Sequence, residues 1–104
     1  MAQDLIVYNS FKEFYPYYLK EHTNRTNRRL HFIGTTLAFL TIAYALLTGQ
    51  FRYLLLALVF GYGFAWAGHF FIEKNKPATF KYPGWSFRGD MKMYSSILSG
   101  KIKF

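Results

Sequence analysis

The sequence predicts an all-α integral membrane protein, a two-helix transmembrane hairpin flanked by amphipathic interfacial helices. Three observations predict it. Residues 30–51, a run of 22, contain no Asp, Glu, Lys or Arg, and neither do residues 53–72, a run of 20. About 20 apolar residues in a helix cross a hydrocarbon core. The bases are also distributed unevenly. Lys12, Lys20, Arg25, Arg28 and Arg29 precede the two runs, Lys74, Lys76, Lys81, Arg88, Lys92, Lys101 and Lys103 follow them, and only Arg52 lies between. By the positive-inside rule both termini face the cytoplasm.

The mean hydropathy of +0.02 hides this pattern, because polar flanks dilute two apolar spans. A chain of 104 residues forms one domain, and so short a chain has too little other material to cover two wholly apolar helices in water. The first apolar run begins only at residue 30, too late for a signal peptide. The absence of cysteine excludes disulfides, thiol catalysis and any thiolate-built zinc site. The net charge of +8 is explained by topology and by anionic headgroups, so nucleic acid is not an expected partner.

The elements follow in order within a single domain, 1–104. Residues 8–22 form an interfacial helix. Ser10 and Glu13 fit a capping box, and Phe11, Phe14, Tyr15, Tyr18, Leu19 and His22 recur at helical spacing, with a kink expected at Pro16. Residues 23–29 read as a polar connection. The first transmembrane helix spans 30–49, with Gly49 as its stop. The second spans 53–73, and Lys76-Pro77 bars its continuation. Tyr82-Pro83-Gly84 reads as a turn. A C-terminal amphipathic helix covers 86–99, with Phe87, Met91, Tyr94 and Leu98 on one side and Gly100 as cap. Asp90 reads as a first-turn acid or a neighbour of Arg88.

The three histidines of the chain are His22, His31 and His69. Counted from the hairpin centre near residue 50.5, His31 is 19.5 residues away and His69 is 18.5, so an antiparallel pair puts them at one depth. Small residues at Gly34, Ala38, Thr41 and Ala45, and at Ala57, Gly61, Ala65 and Gly68, mark the faces on which membrane helices approach closely. Both histidines fall on those faces. His22 needs only a short connection to fold back toward them. Three neutral imidazoles that converge are metal-ligand chemistry, suited to Fe(II) or Zn(II). Glu73, one helical step after His69, is a candidate fourth ligand or an acceptor orienting that ring, and Asn27 is placed to orient His31. Glu21 is expected to point elsewhere. No Ser-His-Asp order, phosphate loop or dinucleotide fingerprint is present.

Phe14-Tyr15, His22-x-Asn24-x-x-Asn27-x-x-x-His31 and Gly68-His69-x-x-x-Glu73-Lys74-x-x-Pro77-Ala78 together resemble the 2-hydroxy fatty acid dioxygenase family of fungal phytosphingosine breakdown and its short bacterial relatives. The resemblance covers about residues 11–100. It implies an Fe(II)-dependent membrane enzyme that uses O2 to shorten a 2-hydroxy fatty acid by one carbon, a step of fatty-acid α-oxidation. The family's histidines map onto His22, His31 and His69, and Glu73 matches the motif's carboxylate. Asn24, Asn27 and Glu73 would then support the metal ligands, and Arg28, Arg29 or Lys74 would neutralise the substrate carboxylate. The resemblance places the chain in a bacterial inner membrane, or in the endoplasmic reticulum if it is eukaryotic.

Two departures stand out. Thr23 replaces a second histidine that fungal members carry, and the extra apolar segments of those longer proteins are missing. With one small hairpin, either the activity has drifted or a homodimer supplies the missing wall of the substrate site. The competing reading is a non-catalytic hairpin module that binds lipid, oligomerises through its small-residue faces, or holds a structural metal.

Overall fold

The computed structural model describes residues 7–104 and contains four α-helices, with no strand among the described residues. Helix α1 spans Phe11–Lys20. The Ser10 side chain accepts from the Glu13 amide at 3.2 Å, and the Glu13 carboxylate accepts from the Asn9 amide at 2.9 Å. These contacts satisfy backbone donors that the first turn leaves unpaired. The helix runs through Pro16 to Lys20.

Helix α2 spans Arg25–Thr48, so it begins five residues before the predicted start of the first span. The reason is local. The Asn24 side chain accepts from the amides of Thr26, at 2.8 Å, and Asn27, at 3.4 Å. Residues 25–29, read as connection, are therefore the first helical turns, and Asn24 is their N-cap. Gly49 ends α2 with a φ of 70°, left-handed backbone that glycine adopts without strain. Helix α3 spans Tyr53–Ala67 and continues as a π-helical turn, Gly68–Glu73. Lys74, at a φ of 57°, stops it three residues before the proline expected to do so. A 3-10 turn covers Ala78–Phe80. Helix α4 spans Pro83–Leu98. The supposed Tyr82-Pro83-Gly84 turn instead opens this helix, because proline suits the first helical position.

Helices α2 and α3 pack along their length as an antiparallel hairpin. A Cβ on Gly34 would lie 2.6 Å from the Phe60 carbonyl oxygen and 2.7 Å from the Phe64 Cβ, so the backbones touch there. Ala45, Ala57 and Ala65 are buried in the same seam. Elsewhere the hairpin shows bare apolar side chains such as Leu40, Leu47, Leu55, Val59 and Phe71. Only 17% of the most apolar window of α2, and 22% of that running from α3 into its π-turn, is buried in the protein. α2, and α3 together with its π-turn, are long and apolar enough to cross a membrane.

Helices α1 and α4 close the open end of the hairpin. Phe14, Tyr18, Ala78, Met93 and Ile97 form a buried core there, surrounded by Phe11, Trp85 and other aromatic residues. The aromatic stripe of α1 is thus packed against protein. Of the side of α4 expected to be apolar, Met91 and Tyr94 are half-buried, Tyr94 against Phe32, while Phe87 and Leu98 are exposed. The fully buried positions are Ser86, Gly89, Met93 and Ile97. Small size decides this, since a Cβ on Gly89 would already stand 3.1 Å from the Tyr18 ring. A larger residue would push α4 off α1.

Candidate metal centre

His22, His31 and His69 meet where the hairpin joins this helical cap. Each comes from a different piece of chain: the exit of α1, the second turn of α2 and the π-turn after α3. Ring centroids lie 4.5 Å apart for His22–His31 and for His22–His69, and 5.1 Å apart for His31–His69. One ligand nitrogen from each falls within 4.8 Å of the others, a group able to hold a metal ion. All three side chains are buried.

The hydrogen bonds show which nitrogens are available. His22 Nδ1 donates to the Tyr18 carbonyl at 2.6 Å, which leaves Nε2 as the lone-pair atom. Asn75 Nδ2 donates to the Glu21 carbonyl at 3.2 Å and to the Glu21 carboxylate. That fixes the amide with its oxygen toward His69, whose Nδ1 donates to it at 2.7 Å. His69 Nε2 is thereby unprotonated. His31 Nδ1 stands 3.9 Å from the Asp90 carboxylate. The Nε2 atoms of His22 and His31 are buried without a partner. Orphaned imidazole lone pairs around one point fit a divalent ion, because burial without a partner is costly. The outer nitrogens face a carbonyl, an amide and a carboxylate, the kinds of group that orient metal-binding histidines.

Burial, reinforced by the neighbouring His69 ring, lowers the pKa of His22 to about 3. It is neutral at physiological pH, as a ligand must be. Burial pushes the Asp90 carboxyl up to about 7 against the opposing hydrogen bond from the Tyr18 hydroxyl. Burial and Asp90 together raise the Tyr18 phenol, so it remains a donor.

The other predicted site residues lie elsewhere. The Glu73 carboxylate accepts from the Asn24 amide at 2.5 Å and from Asn27 Nδ2 at 3.4 Å. It ties the π-turn to the start of α2 and is not in the converging group. Asn27 packs on Gly68 rather than orienting His31; a Cβ at Gly68 would come within 1.9 Å of Asn27 Oδ1. Asn24 caps α2. Arg28 donates to the carbonyls of His22, at 3.2 Å, and Thr23, at 2.8 Å, holding the α1–α2 connection. Arg29 donates to the Phe104 carbonyl at 3.2 Å and lies over that ring. Lys74 is exposed at the left-handed turn. Short polar contacts engage Glu73, Asn24, Arg28 and Arg29 away from the histidines.

Sequence reasoning missed Asp90, Asn75 and Glu21. Asp90 is half-buried mid-helix against Tyr18 and His31, not a first-turn acid. Asn75 reaches His69 because the π-turn and the left-handed Lys74 swing it back, with the Asn75 amide donating to the His69 carbonyl at 3.0 Å. No linear spacing announces that turn. Asp90 carried one signal, as the sole acid after Glu73.

Two cavities adjoin the centre. A narrow cleft of about 10 Å³ is lined by the three histidines together with Tyr62, Trp66, Ser86 and Asp90. An apolar groove of about 400 Å³ runs between α2, α3 and α4, lined by Thr35, Ala38, Ala57, Gly61, Phe87 and Met91 among others. Tyr62 and Asp90 border both. The third wall of the groove comes from α4 of the same chain.

The fold and site define a class: helical proteins with two bilayer-length apolar helices, equipped to hold a metal on histidines alone. The family model described as 2-hydroxy-palmitic acid dioxygenase Mpo1-like matches residues 8–102, and the chain belongs to that family. No curated protein and no solved structure matches it.

Proposed function

We propose that this protein is an Fe(II)-dependent dioxygenase that shortens 2-hydroxy fatty acids by one carbon at a membrane surface. The observation that carries the reading is the convergence of three buried imidazoles beside an apolar groove open to the hairpin. The family description supplies the substrate class. His22, His31 and His69 would hold the ion through their inner nitrogens. Fe(II) bound there supplies the redox chemistry that activates O2 and a Lewis-acid point for the 2-hydroxy-carboxylate.

The remaining work belongs to the chain. Tyr18 and Asn75 hold the His22 and His69 rings by hydrogen bonds, and Asp90 stands 3.9 Å from His31. The groove takes the acyl tail along the hairpin, and the packed cap of α1 and α4 keeps water from the centre. α2 and α3 cross the bilayer with both termini on the cytoplasmic side, so the polar head arrives at headgroup depth while its tail stays in hydrocarbon. The exposed leucines of the hairpin support this placement, because a soluble chain rarely leaves so wide an apolar collar bare. The non-catalytic module is less well supported, since the small-residue faces it would use for oligomerisation are occupied within the hairpin.

Metal analysis of detergent-purified protein, prepared anaerobically, tests the proposal beside the triple variant His22→Ala/His31→Ala/His69→Ala. About one iron per chain in the parent and none in the variant, with O2 uptake on 2-hydroxy fatty acids, is expected. Zinc alone would keep the centre but remove the oxygenase. Metal in neither protein after reconstitution would favour the module.

A further inference from the structure

Two polar atoms at the cleft serve nothing else in the fold. Ser86 Oγ and Trp66 Nε1 are buried and have no hydrogen-bond partner, and both residues line the cleft that the three histidines line. An indole N–H can only donate, and a hydroxyl donates readily. Leaving two such donors dry is costly unless a ligand acceptor completes them. Ser86 sits on the buried face of α4, and the Trp66 ring packs edge-on against Phe80 at 5.3 Å. Among the described residues that line the cleft, none is Lys or Arg. The bases expected to meet the substrate are engaged at helix ends or exposed.

We infer that Ser86 Oγ–H and Trp66 Nε1–H receive the carboxylate of the 2-hydroxy acid by hydrogen bonds, with no basic side chain taking part. The inference rests on the function proposed above. Geometry favours this acceptor, because the cleft and the apolar groove share Tyr62 and Asp90 as a common boundary. An amphiphile whose tail fills the groove can bring its head to that boundary, next to the cleft that Ser86 and Trp66 line. Charge favours it too. A divalent ion on three neutral imidazoles already offsets the charge of a carboxylate, so the protein needs only neutral donors for direction. This assigns selection for an acid head over an alcohol or ester to α3 and α4 rather than to the basic rim.

Binding to the zinc-loaded protein tests the inference without turnover. Micelle-embedded parent, Ser86→Ala and Trp66→Phe would be titrated by calorimetry with 2-hydroxyhexadecanoate and with hexadecane-1,2-diol, which keeps the chain and the hydroxyl but lacks the carboxylate. Zinc stoichiometry of each variant reports an intact centre. The parent should prefer the acid. Each variant should lose about tenfold in affinity for the acid, keep its affinity for the diol and hold one zinc. Unchanged acid affinity in both variants would overturn the inference alone, leaving the donors to a smaller ligand such as water or dioxygen. Equal losses for acid and diol would reduce the two residues to packing. A parent that binds neither compound, or binds no metal, would overturn the proposed function with it. Ser86→Ala removes a single atom, so its result stands even if Trp66→Phe disturbs the aromatic packing.

Discussion

Asn75 carries more of the centre than its place in a loop suggests. Its amide is held by Glu21 and in turn holds His69 Nδ1. Asn75→Ala leaves His69 free to rotate and to change tautomer. Metal affinity should fall about 10- to 100-fold, as when other orienting partners are removed. Competition with a chelator on membrane-inserted protein measures it, and unchanged affinity would show that His69 is positioned by packing alone. His22 gives a second residue-scale expectation. Its pKa is about 3 in the fold against the ordinary histidine value of 6.5 in an unfolded chain. Between those values the unfolded state binds the extra proton, so folding stability falls as pH falls through that window and is unaffected above it. Thermal unfolding of metal-free protein should show this loss from about pH 6.5 downward, and His22→Phe should reduce it.

At the scale of elements, the α2–α3 seam depends on backbone contact. A methyl group at Gly34 meets the Phe60 carbonyl, which cannot move without moving α3. Gly34→Ala should therefore cost about 1–3 kcal/mol and loosen the pairing that sets His31 against His69. Gly63→Ala, where a Cβ meets nothing within 4 Å, is the matched control. Comparing the two by unfolding in mixed detergent would separate seam packing from helix propensity; equal behaviour would mean that the seam can shift at no cost. Gly68 works in a similar way about a turn nearer the cap, where only a hydrogen fits against Asn27. The π-turn that begins there turns His69 inward, and single-turn π segments of this kind recur at functional sites.

The whole molecule is about 46 Å long and 26 Å across, with its polar and aromatic cap at one end and a bare apolar hairpin at the other. Helix α2, with 24 residues, is by itself ~36 Å long, enough for a hydrocarbon core with some tilt. The proposed topology has a direct check because the chain contains no cysteine. Cysteines introduced singly at Gln50 and at Lys101 should be labelled by a membrane-impermeant maleimide from opposite sides of sealed vesicles. Labelling from the same side would remove the transmembrane hairpin.

What the sequence determined by itself was what periodicity, run length and charge carry. Two uncharged runs of bilayer length define the hairpin, and the depths of His31 and His69 follow from a rise of 1.5 Å per residue. The small-residue faces follow from spacing as well. These features are local or nearly regular, so counting along the chain reaches them. The supporting groups were not accessible in that way. Asp90 lies 59 residues from His31, and Asn75 meets His69 only through a π-turn and one left-handed residue. Tertiary packing decided that α1 and α4 bury each other, that Glu73 and Arg28 bind helix ends, that Arg29 meets Phe104, and that Ser86 and Trp66 line the cleft. Each is a competition among partners distant in sequence, settled by which side chains fit once the helices touch.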